Sequence, residues 1–462
     1  MRSLVDTATR AGWMACLLAS SWACGQSHGG FSGPDAKVEA GVVDGHGSGI
    51  VFEGSTGGPP VGCRNLACKE VACPGGHSTT ITGTVFAPTL LAPDPLYNAI
   101  VYIPNAPIEP FSKGVSCDHC GAVVSGSPIT TVLTGPDGRF SIENAPVGDD
   151  IPLVIQIGRW RRLVTIPHVP ACATTELTAE QTHLPRNQAE GDIPQMAIAT
   201  GLFDPMECLL RKIGIDDSEF TPPDGGGRVH FFVQNGMNLS PPAPAASTLW
   251  SDLATLDAYD MILLPCEGEP NLKPAQATQN VIDFASAGGR VFTTHFSYVW
   301  IYNAQAPFPS TAAWDVNQEP YPPDPLAGFV DTSFPKGKAM ADWLQIVQAS
   351  TSYSEVDISE PRQDVDGVNN PPSQGWISSF APDSTQHFTF DTPIGVSDGE
   401  QCGKVVFSDF HVVSNETSGA IFPTDCVDGP LSSQEKVLEF MFFDLASCVQ
   451  NDALPPKPPP IH

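Results

Sequence analysis

Thirteen cysteines in 462 residues constrain this chain more than any other feature, because their chemistry depends on where the chain is delivered. The first 24 residues supply that expectation. Arg2 and Arg10 give a positive start, and the apolar run 11–23 (AGWMACLLASSWA) is too short to span a bilayer. Ser21-Trp22-Ala23 fits a small-x-small cleavage rule, so the leader reads as an export signal. In an oxidising compartment, paired cysteines are the default. With Cys16 removed and Cys24 set aside, six cysteines fall in the first half (Cys63, Cys68, Cys73, Cys117, Cys120, Cys172) and five in the second (Cys208, Cys266, Cys402, Cys426, Cys448). Cys63-x4-Cys68-x4-Cys73 with Cys117-Asp118-His119-Cys120 has the ligand types of structural zinc. The loose spacing and oxidising address favour bridges over metal, and no cofactor is expected. A redox role for Cys117 and Cys120 is disfavoured because the pair lies in a Gly/Ser loop instead of opening a helix.

Ala23-Cys24 resembles the end of a bacterial lipobox, in which Cys24 is acylated and anchored, although Ser21 stands where that motif prefers leucine. Ordinary cleavage after Ala23 is the alternative. The predicted address is periplasmic, or an outer-membrane or cell-surface lipoprotein. The net charge of −29 comes from 51 acidic residues against 22 basic ones. That argues against nucleic-acid binding, which needs Lys and Arg against phosphate. No run reaches the ~18 apolar residues of a membrane span. The 42 glycines and 46 prolines predict much coil. Residues 25–60 are Gly-rich without apolar periodicity and read as a disordered tether. Residues 451–462 read as a disordered tail.

Residues 61–200 carry short alternating segments broken by turns: Thr80–Phe86, Asn98–Ile103, Thr130–Thr134, Arg139–Ile142, Ile151–Ile157 and Arg161–Ile166. Gly135-Pro136-Asp137-Gly138 supplies one turn. The spacing predicts a Cys-bridged antiparallel β-sandwich. Ile81-x-Gly83-x-Val85, Asn98-Ala99-x-Val101, Asp137-Gly138-x-Phe140-x-Ile142 and Ala145-Pro146-x-Gly148 resemble a carboxypeptidase regulatory-like, prealbumin-type domain. That resemblance implies a non-catalytic module with a carbohydrate-binding-like fold, so a cell-surface glycan is a candidate partner. Arg159-Trp160-Arg161 is a basic, aromatic patch in an acidic chain. It suits an acidic ligand, or it pairs with the protein's own carboxylates.

From residue 201 the pattern changes to alternating strand and helix. Asp204-Pro205 reads as a helix start. Arg228–Gln234, Tyr259–Leu264 and Arg290–Thr294 read as buried strands, and Pro274–Ala287 reads as a helix stopped by Gly288-Gly289. A Pro-rich excursion occupies 302–335, and a capping box at Ser432 and Glu435 opens the last helix. The alternation predicts a mostly parallel sheet over 201–450. Tyr259-Asp260 before Pro265, Phe284 with Gly288-Gly289-Arg290-Val291, and a late strand bearing His resemble the class I glutamine-amidotransferase-like fold in its ThuA-like branch. This implies a flavodoxin-like, three-layer α/β domain behind the sandwich. The amidotransferase nucleophile would be a Cys in a Gly-x-Cys-x-Gly elbow. Here that place reads Thr294-His295-Phe296-Ser297, so glutaminase chemistry is not implied.

Ligands bind at the carboxyl ends of parallel strands. Three such ends carry polar groups: Cys266-Glu267, His295, and Asp409 with His411. Asp409 and His411, two apart on a strand, would share a face, so the carboxylate could orient the imidazole as a base. The bland alternative is a set of hydrogen-bonded structural histidines. Strand-end placement also predicts bridges Cys266–Cys426 and Cys402–Cys448, which would remove Cys266 as a nucleophile. Asp364-x-Asp366-Gly367-x-Asn369 lacks the closing Glu of a calcium loop and reads as a solvated turn.

Taken whole, Leu209–Phe220 and Gly158–Arg162 resemble a family of exported, lipid-anchored bacterial proteins whose role the resemblance leaves open. A tryptophan synthase alpha-chain assignment needs a (β/α)8 barrel and is not supported. The leading expectation is a surface binding or scaffold lipoprotein rather than an enzyme, without a metal. The alternative is a hydrolase using His295, Asp409 and His411, with Glu267 nearby.

Overall fold

The computed structural model describes residues 63–89, 92–316, 318–350, 352–413 and 419–461. The expected export leader, Cys24 and the expected tether at 25–60 lie outside the described residues. The first strands are β1 (Thr80–Thr84), β2 (Ile100–Pro104), β3 (Pro128–Leu133), β4 (Arg139–Ile142), β5 (Gly148–Ile157), β6 (Trp160–Val169) and β7 (Thr174–Glu176). They form a three-stranded sheet, β4-β1-β7, and a four-stranded sheet, β3-β2-β5-β6. Alternation decides which residues go inside: Ile81, Phe140, Ile142, Val101, Ile103, Leu153 and Ile155 are buried in one core. All pairs are antiparallel except β1 with β7.

The second half contributes β8 (Met196–Thr200), β9 (Phe220–Thr221), β10 (Val229–Val233), β11 (Met261–Leu264), β12 (Arg290–Thr294), β13 (Ala312–Trp314), β14 (Leu326–Val330), β15 (Glu355–Ile358), β16 (Val365–Val368), β17 (Ser373–Phe380), β18 (Asp383–Thr392) and β19 (Gly403–Ser408). Ten of them form one sheet in the order β15-β14-β17-β18-β19-β12-β11-β8-β10-β9. The block from β19 to β9 is parallel. From β18 outward the pairing is antiparallel. The Pro-rich excursion 302–335 is therefore not plain coil, because β14 lies inside it and joins the sheet.

Both faces of the parallel block are buried, as continuous apolar strands require. Met196, Ile198, Leu263 and Phe292 face one cluster with the helices Met206–Lys212, Pro335–Ile346 and Ser433–Ala446. Ala197, Ile262, Leu264 and Val291 face another with the helix Ala275–Ala287. The first cluster also takes in the core of the N-terminal sheets. Trp160 packs against Phe442 and Phe443 of the last helix, with ring centroids 6.0 and 5.4 Å away. Gly158 has φ +51°, and a Cβ there would lie 1.8 Å from the Ala446 carbonyl oxygen, so only glycine allows this approach.

Among the described residues, five disulfides tie the chain: Cys63–Cys68, Cys73–Cys172, Cys117–Cys402, Cys120–Cys448 and Cys208–Cys426. They mark a protein of an oxidising, exported compartment. Among the described residues, no helix is long and apolar enough to cross a membrane. The expected bridges Cys266–Cys426 and Cys402–Cys448 are not formed. Cys402 and Cys448 do share the end of the sheet opposite the strand carboxyl ends, but the loop between β2 and β3 reaches them there. Cys120 N–H donates to Val449 O (3.0 Å) and Val449 N–H to Asp118 O (2.8 Å), which delivers Cys117 and Cys120 to separate partners. Cys426 takes Cys208 from the helix after β8, leaving Cys266 as a buried free thiol.

The C-terminal stretch, expected to be disordered, lies along the protein through residue 461. Asp452 is buried between two lysines, 2.8 Å from Lys336 Nζ and 2.5 Å from Lys404 Nζ. Asp391 sits beside this group, with Lys404 3.9 Å away. Burial pushes its carboxyl up to about 7, with the Asp452 charge adding to the rise and Lys404 opposing it. An unfolded Asp holds its proton only to ~3.9. Between those values the folded state binds more protons, so stability falls as pH rises. Asp391→Asn is expected to leave stability unchanged near pH 4 and to raise it near pH 8 by on the order of a few kcal/mol. Urea denaturation at the two pH values checks this, and an equal effect at both refutes it.

Candidate functional site

Four adjacent parallel strands, in the order β19-β12-β11-β8, deliver their carboxyl ends to one place. Strand β11 runs on into Cys266, β12 into His295, and β19 into Asp409 and His411, while β8 turns back through Gly201 to Asp204. A Cβ on Gly201 would lie 2.3 Å from Cys266 O, so a side chain at 201 would push Cys266 out of place.

His295 occupies the sharp turn where the amidotransferase-like elbow was expected. Its φ is +51°, a left-handed backbone that a side-chain-bearing residue seldom adopts. Such strain concentrates at sites where geometry matters. The turn is held on both sides. Cys266 N–H donates to Thr294 Oγ1 (3.0 Å), and Thr294 Oγ1–H donates to Asp204. Ser297 Oγ–H donates to Pro265 O at 2.8 Å.

Cys266 Sγ lies 3.1 Å from His295 Nδ1. The rings of His295 and His411 meet edge to face with centroids 4.6 Å apart. One ligand-type atom from each of Cys266, His295 and His411 lies within 4.8 Å of the other two. Cys266 and His411 are buried and His295 is partly accessible. His411 Nδ1 is 2.9 Å from Val412 O, which only accepts, so Nδ1 carries a proton and Nε2 is the nitrogen left for another partner. Glu360 reaches to 3.9 Å from that Nε2 and is half-exposed.

Burial pushes the Cys266 thiol up to about 12, against N–H groups of Gly268 and Phe296 that favour the thiolate. Burial also holds His295 well below the usual imidazole range, helped by His411 and by the Arg362 charge. At neutral pH the pair is therefore S–H beside a neutral ring, not thiolate beside imidazolium. Burial raises the Asp204 carboxyl, opposed by His411 and by the hydrogen bonds it accepts from Thr294 and Val412.

The predicted site residues fare differently. His295 and His411 come together. Asp409 does not join them: its Oδ2 accepts from Asp364 N–H at 2.6 Å, and burial followed by the Asp364 charge holds its carboxyl well above the usual range. Strand β19 ends at Ser408, so the two-residue alternation used to pair Asp409 with His411 no longer applies beyond it. Glu267 is bound to Lys273 Nζ (2.5 Å) and to the side-chain amides of Gln234 and Asn271 (2.9 Å each), so it fixes the loop after Cys266. Asp204 is not the helix cap the sequence suggested. Its Oδ1 accepts from Val412 N–H (3.0 Å), and Pro205 is the N-cap. Nothing in a single Asp-Pro pair separates these two uses.

Arg159, Trp160 and Arg161 form no free patch. Arg159 pairs with Asp260 at 2.7 Å and Arg161 with Asp192 at 2.8 Å, and Trp160 is fully buried with its indole N–H donating to Pro185 O. The Asp364 carboxylate grips Arg362 with both oxygens, 2.6 and 2.7 Å away, in place of the expected solvated turn.

No family model matches the sequence, and no curated protein matches it significantly. Solved structures that resemble it include a cytoplasmic protein from Salmonella typhimurium, at 11% identity and TM-score 0.30, over 54% of this chain and 98% of that one. Two more are provisionally described as ThuA-like. The one from Bacteroides uniformis shows 11% identity and TM-score 0.29, over 54% of this chain and 89% of its own. The one from Parabacteroides merdae shows 10% identity and TM-score 0.30, over 57% and 94%. Likeness at this level says nothing about chemistry, which rests here on the residues themselves.

Proposed function

We propose that this chain is an exported hydrolase whose working centre is the meeting point of Cys266, His295 and His411. One observation carries the reading: three lone-pair donors from adjacent strand ends lie within 4.8 Å of one another. Donors gathered on one point suit an electrophile, either a reacting carbonyl or a cation that activates water. The scaffold reading with a glycan at Arg159–Arg161 has less support, because those side chains are engaged internally. On this reading the N-terminal sheets are a prealbumin-type spacer, the ten-stranded sheet is the core of a flavodoxin-like domain, and Cys24 anchors the chain by lipid.

The test is an ester screen on the mature, oxidised chain beside a His295→Ala, His411→Ala double variant. The expected result is turnover of at least one ester class, reduced ~100-fold or more in kcat/KM by the double change. Equal turnover in both proteins, or none in the unmutated chain, removes the hydrolase assignment.

A further inference from the structure

We infer that Cys266, His295 and His411 hold a zinc ion at the carboxyl edge of the sheet. This rests on the reading above and names the cofactor of the same centre. Around one tetrahedral zinc, with Zn–S ~2.3 Å and Zn–N ~2.0–2.1 Å, such donors stand roughly 3.3–3.6 Å apart. Cys266 Sγ and His295 Nδ1 stand 3.1 Å apart, and the remaining donor separations are no longer than 4.8 Å, within reach of that spacing. Small side-chain adjustments close the set.

The surroundings are those of a ligand set. Val412 O accepts from His411 Nδ1–H, the kind of outer contact that orients ligating imidazoles and leaves Nε2 as the nitrogen to ligate. Gly268 N–H donates to Cys266 Sγ at 3.3 Å, a bond that stabilises a thiolate. Asp204 lies behind the trio, where its carboxyl oxygens accept from Thr294 and Val412 and so tie together the strand ends that carry His295 and His411. A left-handed His295 presents its ring to Cys266, which is a costly backbone unless the ring's position is needed.

The donor types select the ion. One thiolate and two imidazoles suit zinc, whereas magnesium and calcium take oxygen ligands. Three protein ligands leave a fourth position for water, as catalytic zinc sites do. A cysteine nucleophile explains the same residues less well, because Cys266 is fully buried and a substrate carbonyl could not reach its sulfur. The other cluster of ligand type, Cys117, His119 and Cys402, is excluded because its two thiols are bridged to each other.

Elemental analysis of the mature, oxidised chain after dialysis against micromolar zinc tests the inference. About one zinc per chain is expected. Cys266→Ser and His411→Ala are expected to weaken binding ~10–100-fold or more while the disulfides and circular dichroism stay intact. Cobalt(II) added to the unmutated, zinc-free chain should give a thiolate-to-metal absorption band that zinc abolishes. That spectrum decides the matter even where a variant fails to fold. Cobalt bound without the sulfur band, copper in place of zinc, or no stoichiometric ion overturns the assignment. A chain that binds zinc but hydrolyses no ester keeps the ion and loses the hydrolase. A zinc-free chain that hydrolyses esters, undiminished by Cys266→Ser, keeps the hydrolase and loses the ion.

Discussion

A chain carrying both Cys117→Ser and Cys120→Ser is expected not to reach the folded state. The lost bridges close loops of 285 and 328 residues, to Cys402 and Cys448 respectively. On chain entropy alone, loops longer than ~100 residues stabilise by about 5 kcal/mol. The two bridges are not independent. Once one has formed, the other closes a much shorter ring, so a single deletion should cost less, about 3–4 kcal/mol. Removing both approaches the entire ~5–15 kcal/mol that holds a typical domain. Urea denaturation of the single and double variants checks this. A double variant with a cooperative transition close to that of the unmutated chain would sink it.

Asp452→Ala is expected to destabilise the protein by about 3–5 kcal/mol, the range for removing one member of a buried ion pair. It would leave Lys336 and Lys404 to share Asp444, at 2.8 and 3.4 Å, with Asp391 3.9 Å from Lys404. The side chains of both lysines are essentially buried, so water cannot compensate. Thr389 Oγ1–H would also lose the acceptor it holds at 2.7 Å. Burial raises the Asp452 carboxyl, but Lys336 and Lys404 more than offset it, so it titrates below the usual range. Its contribution is therefore complete above the unfolded value of ~3.9 and is lost as pH falls below it. The difference between the two proteins should shrink in strong acid. Thermal unfolding across that range reads this out, and a cost that does not change with pH contradicts it.

The parallel block was legible because its grammar is local. Continuous runs such as Met261–Leu264 and Arg290–Thr294, each followed by polar residues, are what a doubly covered sheet requires. The same logic places His295 and His411 at strand ends, and there they meet. The cysteine partners were not legible. They depend on how the β2–β3 loop docks against the far end of the second sheet, and no local periodicity encodes that. Cys266 was assigned to a bridge because it shares a strand-end face with Cys426, yet the helix after β8 offers Cys208 instead. That error hid the site, since a bridged Cys266 cannot ligate or attack. The tail misled for a similar reason: Asn451–Ile461 is Pro-rich and reads as coil, but one carboxylate finds two lysines more than forty residues away in sequence.

The paired staples between the loop at 117–120 and positions 402 and 448 also decide how this molecule responds to proteases. A single cut between residues 121 and 401 severs the backbone without separating the pieces, because sulfur still joins them. Such a nicked molecule would migrate as one species until reductant is added, so the protein can survive clipping of its surface loops as a single covalent body.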